Sequence, residues 1–288
     1  MAIVAAYCWL MPFCASAQEA SPAQILEGIL TPPRSMTEAN SNESEPRRDE
    51  WETDRDSFTP STKTAGRRRL IVESAYTFLD NRRAKETHSF PEFLLRYGVT
   101  ERVELRLGWN YEVGGAANSV SGSTEGAETT SPHLEREHSL SYGIKTGITE
   151  QAGWIPESAL ILSGFTPTGG PDTATQFVAA YVFGWNLPNR WILDAGIRYS
   201  ADSAEHDRFA LWAPSVVLKA PIGERWDVHA EYFSALSRGK EHDSVEHYFS
   251  PGVHYLLTDD VEIGVRLGWG LNDQSARFFC NAGVGWRF

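Results

Sequence analysis

The alternation of apolar and polar positions is most regular at the end of the chain. Every second residue of 261–271 is apolar, and the residues between them are glycine or charged. After the turn signal at 272–275 the alternation resumes and runs to residue 288. A period of two gives a β-strand one apolar and one polar face. Both stretches have the length, about 9–11 residues, and the terminal aromatic residues of strands that cross a membrane within a barrel.

The same alternation predicts about twelve strands along the chain. The predicted strands are residues 68–79, 87–99, 102–113, 136–148, 157–166, 174–186, 190–201, 208–221, 225–236, 245–257, 260–271 and 276–288. The connections between them alternate between short and long, as they do in outer-membrane barrels, whose short turns are periplasmic. The sequence therefore predicts an all-β fold, a single antiparallel transmembrane β-barrel with short periplasmic turns and longer extracellular loops. Ten or fourteen strands are the alternatives.

The two ends of the chain indicate export to the bacterial outer membrane. Residues 3–13 are apolar and Ala15-Ser16-Ala17 is a small-x-small cleavage pattern, so residues 1–17 are predicted to be a signal peptide. No Lys or Arg precedes the apolar stretch, which leaves a true start upstream of Met1 as an alternative. Residues 18–52, rich in Pro, Ser and Glu, are predicted to be a disordered periplasmic linker, and 53–288 the barrel. The final strand, ending in Phe288, resembles the last strand of bacterial outer-membrane barrels, which implies the barrel-assembly machinery and outer-membrane lipid as partners.

Composition and motifs exclude several other classes of protein. The formal net charge is −12, and no basic block argues for nucleic acid. Beyond the N-terminus no apolar run reaches about 20 residues, so a membrane protein of this sequence must be a closed barrel. We find no Gly-x-Ser-x-Gly, P-loop or His-Glu-x-x-His motif, and expect neither catalysis nor a cofactor. Ser139 or Ser141 beside His138 is a weak alternative, and Cys280 is predicted to be a small apolar residue of the lipid face.

The charged residues of the polar parity are predicted to line the lumen. The predicted pore-lining residues are Glu92, Arg96, Glu104, Arg106, Asp194, Arg198, Glu231, Glu262 and Arg266. A dry interior tolerates so many charges only when they are paired, whereas a water-filled channel accepts them. A tight turn near residue 100 would place Arg96 opposite Arg106, so one hypothesis is a narrow constriction of mixed charge. The alternative is a ladder of ion pairs that fills a small barrel.

Aromatic residues at both ends of the strands predict two belts at the membrane interfaces. One belt is predicted to contain Trp109, Trp185 and Trp269, and the other Trp191, Trp226, Trp286 and Phe288. Glu-His dipeptides at 137–138, 205–206, 241–242 and 246–247 lie at the predicted long-loop end, where a metal- or pH-sensitive rim is conceivable. Adjacent residues of a strand point to opposite faces, so we favour solvated loop ends and expect no metal site.

Several short stretches resemble one known family. They are residues 53–59, 73–77, 91–98 and 102–106, and the resemblance extends over 53–288. The family is that of outer-membrane transporters of a MetA-type phenol-degradation pathway. The resemblance implies an outer-membrane barrel with a role in the uptake of aromatic or other apolar molecules.

We therefore expect a channel or transporter for passive passage of small molecules across the outer membrane. The alternative is a non-transporting structural or binding barrel that acts through its extracellular loops, chiefly 114–135, and an outer-membrane hydrolase is less favoured. A plug formed by residues 18–52, or by the 114–135 loop folding inward, is compatible with either function.

Overall fold

The computed structural model describes residues 51–288 apart from 56, 122–134, 171–173, 205–206 and 239–243. The predicted signal peptide and residues 18–50 of the predicted linker lie outside this range. Within the described residues, no helix is long and apolar enough to cross a membrane.

Twelve antiparallel strands form one closed barrel, in which each strand pairs with its neighbours in sequence and β1 pairs with β12. The strands are β1 Leu70–Asp80, β2 Thr87–Gly98, β3 Val103–Gly114, β4 Glu135–Thr149, β5 Glu157–Gly169, β6 Gln176–Asn186, β7 Ile192–Ala204, β8 Asp207–Ile222, β9 Trp226–Arg238, β10 Ser244–Thr258, β11 Val261–Gly270 and β12 Phe278–Arg287. The predicted all-β fold and strand count are confirmed. Each predicted strand coincides with one observed strand, with ends that differ by a few residues.

The two ends of the barrel wall meet at the short-turn end. The backbone N–H of Leu70 donates to the carbonyl oxygen of Phe288 at 3.2 Å, and the N–H of Phe288 donates back to Leu70 at 2.8 Å. Side chains alternate across the wall as predicted: Leu105 and Leu107 are 49% and 46% exposed, whereas Glu104, which precedes them on the strand, is 0% exposed. An apolar outer face around a polar interior is the arrangement that lipid requires of a barrel.

Residues 51–66, here called the inner segment, lie inside the barrel and do not belong to its wall. The segment enters at the short-turn end, where the indole N–H of Trp51 donates to the carbonyl oxygen of Asp259 at 3.1 Å. It reaches the interior at Phe58, which is 0% exposed. It then returns to the short-turn end, where the hydroxyl of Thr64 donates to the carbonyl oxygen of Glu101 at 2.7 Å.

This path adds to the prediction from the sequence, which placed residues 53–288 in the barrel region and began the first wall strand at residue 68. Residues 53–66 do not form part of the barrel wall, and Trp51 and Glu52, assigned to the linker, already contact the barrel. The sequence pattern could not show this, because wall side chains surround the inner segment on several sides and impose no period of two on it.

Gly98 of β2 allows the inner segment to touch the wall. A Cβ built at Gly98 would lie 1.7 Å from the carbonyl oxygen of Gly66 and 2.5 Å from its carbonyl carbon. Both atoms belong to the backbone, so no side-chain movement relieves the overlap. At Gly147, by contrast, the nearest atoms to such a Cβ lie at 3.8 Å.

Gly98→Ala should therefore destabilise the folded barrel by about 1–3 kcal/mol, the usual cost of overpacking. The measurement is the urea midpoint of the refolded protein in lipid vesicles, with Gly147→Ala as the matched control. Equal midpoints for the two variants would show that the inner segment does not press on the wall at Gly98.

The residues that follow β3 also fold into the barrel, from the long-loop end. The side-chain amide of Asn118 donates to Glu92 Oε1 at 2.8 Å, and the hydroxyl of Ser121 donates to Glu92 Oε2 at 2.9 Å. Arg266 of β11 donates to the carbonyl oxygen of Val120. Residues 115–121, here called the inward loop, thus enter the lumen. This is the direction expected if the 114–135 loop folds inward as a plug, although residues 122–134 lie outside the described residues.

Candidate functional site

An ionic cluster in the lumen surrounds Asp54 of the inner segment. The Asp54 carboxylate lies 2.5 Å from Arg106 Nη1, 3.1 Å from Lys145 Nζ and 3.6 Å from Arg96 Nε. Arg96 also holds Glu104 with two nitrogens, Nε and Nη2, each at 3.0 Å. With Glu73, which lies 2.9 Å from Arg96 Nη1, the cluster contains as many carboxylates as cations. Four β-strand side chains thus contact one residue that is not in the wall, with Glu73 accepting from the backbone N–H of Asp54.

The electrostatics of this cluster keep Asp54 charged. Burial by itself raises the pKa of the Asp54 carboxyl, but the nearby cations of Arg96, Lys145 and Arg106 outweigh this effect and hold the pKa well below its ordinary value. The carboxylate is therefore ionised at every physiological pH. Its ion pairs are available whenever the inner segment occupies the lumen.

A second ionic contact lies nearer the short-turn end. Lys219 of β8 bonds to the carboxylate of Glu52 and lies 3.2 Å from Asp194 Oδ2 of β7. Burial raises the pKa of Glu52, but Lys219 outweighs it, so the pKa is below its ordinary value. The first residues of the inner segment are therefore tied to the wall by charge as well as by the Trp51 hydrogen bond.

Glu231 of β9 holds the tip of the inner segment. Its carboxylate accepts hydrogen bonds from the backbone N–H of Phe58 at 2.9 Å, from the N–H of Thr59 at 2.7 Å and from the Thr59 hydroxyl at 2.8 Å. Arg266 Nη1 lies 3.4 Å from the same carboxylate. Because Arg266 also bonds to Val120, this pair links the inner segment to the inward loop.

An apolar core lies inside the lumen at the same level. The ring of Phe58 stacks on Phe233 with centroids 4.2 Å apart and planes 7° apart. The guanidinium of Arg198 also lies over the Phe58 ring, 4.3 Å from its centroid. Phe233 also contacts the rings of Tyr248 and Phe279, at 5.0 and 6.1 Å. Val120 of the inward loop belongs to the same core, so the two inward-folding segments meet there.

This core was not predicted from the sequence, although a signal for it exists. Phe233, Tyr248 and Phe279 occupy the inward parity of their strands and are 0%, 1% and 0% exposed. Large aromatic residues at positions that otherwise carry charge or glycine indicate an apolar partner within the lumen. That partner is the inner segment, which precedes the first predicted strand at residue 68.

The structure places all nine predicted pore-lining side chains on the inner face of the barrel. Arg96 and Arg106 are opposite each other in the β2–β3 register, as expected from a tight turn. However, Arg96, Glu104 and Arg266 are no more than 1% exposed, so a water-filled space does not surround them. They are shielded because the inner segment and the inward loop supply charges and backbone groups that pair with them.

The predicted belt residues lie on the outer face, and one of them was assigned to the wrong end. Trp185 was grouped with Trp109 and Trp269, yet its indole N–H donates at 3.1 Å to the carbonyl oxygen of Trp154 in a short turn. β6 runs towards the short-turn end, whereas β3 and β11 run towards the long loops. A residue late in β6 therefore lies beside Trp191 and not beside Trp269.

The remaining candidates do not form a reactive group. His138 bonds to the Thr168 hydroxyl at 2.9 Å, on the face opposite the buried Ser139, so no Ser-His pair forms there. His247 contacts the Tyr232 hydroxyl at 2.8 Å, while Glu246 faces the lumen and accepts from Ser119 at 3.0 Å. The dipeptides at 205–206 and 241–242 lie outside the described residues. In the described part of the chain, no group of three or more His, Cys, Asp or Glu could hold a metal ion.

A closed twelve-stranded barrel with an apolar outer surface, a charged interior and short turns at one end defines a bacterial outer-membrane β-barrel. Within this class, the chain belongs to the family described as Putative MetA-pathway of phenol degradation, whose model matches residues 53–288. The comparison with curated proteins finds no match.

Solved structures resemble the chain in fold. The crystal structure of the COG4313 outer membrane channel from Pseudomonas putida F1 has a TM-score of 0.55 and 12% identity, and the match covers 79% of this chain and 98% of that one. The NanC porin has a TM-score of 0.48 and 10% identity, with 75% and 98% covered. The KdgM porin has a TM-score of 0.45 and 8% identity, with 76% and 99% covered.

Proposed function

We propose that the protein is an outer-membrane channel for the passive passage of small molecules, and that the inner segment controls this passage. The observation that carries the proposal is the way in which the lumen is filled. Wall side chains alone fill a barrel of about eight strands, and a wider barrel encloses additional space. In this twelve-stranded barrel, the space is occupied by chain segments that are not part of the wall.

The contacts of the inner segment suit a reversible closure. Asp54, Glu52 and the Phe58–Thr59 backbone are held by ion pairs and hydrogen bonds to wall residues. Water can replace such contacts when the segment moves, so the charged wall residues would then line a wet path. Outer-membrane lipid surrounds this channel, and β12 would present the C-terminal residues to the barrel-assembly machinery. The family description supports aromatic or apolar solutes.

Single-channel conductance of refolded residues 18–288 in a planar bilayer tests the proposal. We expect discrete current steps that added phenol shortens or blocks, because a solute in the narrow lumen excludes ions. A folded, heat-modifiable barrel that gives no steps, even when the inner segment is loosened by mutation, would contradict the channel. That outcome would support the alternative of a structural or binding barrel that acts through its loops.

A further inference from the structure

A cavity lies between the inner segment and the wall formed by β3 to β7. On the wall side it is lined by the apolar side chains of Ile161, Phe165, Val178 and Ala180, and near them by Arg106 and Arg198. The cavity is small and partly open to solvent. Only a small ligand could occupy it together with its charged and apolar lining.

The apolar part of the cavity lies on β5 and β6, apart from the apolar core around Phe58. Ile161, Phe165 and Ala180 face the lumen and are 6%, 7% and 5% exposed. Ile161 and Ala180 are direct neighbours across the two strands. Gly143 separates Arg106 from Ser163 in the register of β3, β4 and β5. The small side chain of Ser163 lies over Gly143, 2.6 Å from the position that a Cβ there would take, so only small side chains lie between the charged and the apolar parts.

The charged part of the cavity offers hydrogen-bond donors to an anion. The charged residues that line it are three arginines, Arg55, Arg106 and Arg198, and one acid, Asp54. Arg106 uses Nη1 for both Asp54 and Glu104. Among the described residues, its Nε and Nη2 have no hydrogen-bond partner.

These two nitrogens lie on one edge of the guanidinium, and a carboxylate can accept from both of them at once. Arg96 uses this same pair of nitrogens to hold Glu104, with both distances at 3.0 Å. A phenol or an alcohol offers a single oxygen and cannot engage both donors in this way. The geometry of Arg106 therefore selects a carboxylate.

We propose that the cavity binds a small carboxylate with an apolar body, of which benzoate is the simplest aromatic member. The carboxylate accepts from Nε and Nη2 of Arg106, and the apolar body packs on Ile161, Phe165 and Ala180. The inference rests on the proposed channel function and names the solute class of that channel.

Calorimetric titration of the full chain in lipid nanodiscs tests this proposal with three probes. Benzoate should bind at least tenfold more tightly than benzamide, which has the same ring without the charge, and than acetate, which has the charge without the ring. Equal affinity for benzoate and benzamide would overturn the carboxylate contact. Equal affinity for benzoate and acetate would overturn the apolar contact, and no binding of benzoate would overturn both.

Two variants locate the site. Arg106→Lys keeps the charge beside Asp54 but loses the paired donors, so benzoate should bind at least tenfold more weakly. Ala180→Phe fills the apolar part without touching an ion pair and should also abolish binding. Arg277→Lys, in an exposed pair with Asp80, is the control and should bind benzoate normally. Unchanged affinity in Arg106→Lys and Ala180→Phe would overturn the assignment to this cavity.

Conductance measured on the same samples separates the two proposals. If benzoate binds but no current steps appear, the carboxylate site is supported and the channel function is contradicted. If current steps appear but benzoate does not bind, the channel function is supported and the carboxylate site is overturned.

Discussion

Asp54→Asn is expected to release the inner segment and to raise the conductance of the reconstituted barrel several-fold. The substitution leaves Arg96, Arg106 and Lys145 close together with one carboxylate fewer, and all three are nearly or fully buried. Removing one partner of a buried ion pair typically costs about 3–5 kcal/mol. Withdrawal of the inner segment lets water reach these cations, so the lumen should open before the barrel wall unfolds.

The measurements are mean current in planar bilayers and protease cleavage within residues 51–66 of protein in vesicles. The matched control is Asp80→Asn, which removes the same charge from a partly exposed pair with Arg277 at 3.2 Å. Exposed pairs contribute about 0–1 kcal/mol, so the control should conduct like the unmodified protein. If both variants had the same conductance and resisted protease cleavage within residues 51–66, the contacts of Asp54 would not be what holds the inner segment in the lumen.

The Asp54 pair should also have a characteristic pH dependence. Because the folded protein holds the pKa of Asp54 below its ordinary value, the stabilisation by this carboxylate is complete above about pH 4 and is lost as the pH falls below it. The difference in urea midpoint between the unmodified protein and Asp54→Asn should therefore be constant from about pH 5 to pH 8 and shrink in more acidic solution. A difference that vanished at neutral pH would contradict the assigned charge state.

The barrel wall could be predicted from sequence because each of its residues has only two environments. A strand residue faces lipid or lumen, and a period of two separates the two sets, as Leu105 and Glu104 illustrate. Even the opposition of Arg96 and Arg106 follows from this period and a short turn. The alternation predicts which side chains point inward, but it does not predict which groups they contact inside the barrel.

The interior was harder to predict because its partners are distant in sequence and carry no period. Glu231 is 172 residues from Thr59, and only the folded chain shows that its carboxylate holds the tip of the inner segment. The dense interior charges left two interpretations, a wet channel or a ladder of ion pairs that fills the barrel, since a dry core requires pairing. The structure supplies that pairing through Asp54 and Glu52, outside the predicted wall strands. Inward-facing aromatic residues such as Phe233 are the sequence signal that would have pointed to an occupied lumen.

Phe58→Ala should lower the stability of the inner segment's docked position by about 3–5 kcal/mol, the usual range for truncation of a buried phenylalanine. The ring is 0% exposed and packs between Phe233 and the guanidinium of Arg198. The substitution leaves the backbone of residue 58 in place, so its N–H still donates to Glu231. The variant therefore isolates the contribution of the ring from that of the hydrogen bonds.

Hydrogen exchange of the inner segment in vesicles measures this loss, and it should be faster in Phe58→Ala while the wall strands exchange as before. Phe177→Ala removes a ring that is 69% exposed on the outer face and should leave exchange within residues 51–66 unchanged. Faster exchange throughout the barrel would mean that the ring supports the wall as a whole. If hydrogen exchange is unchanged throughout the protein, the hydrogen bonds to Glu231 alone hold the tip of the inner segment. The apolar core would then be a consequence of docking and not its cause.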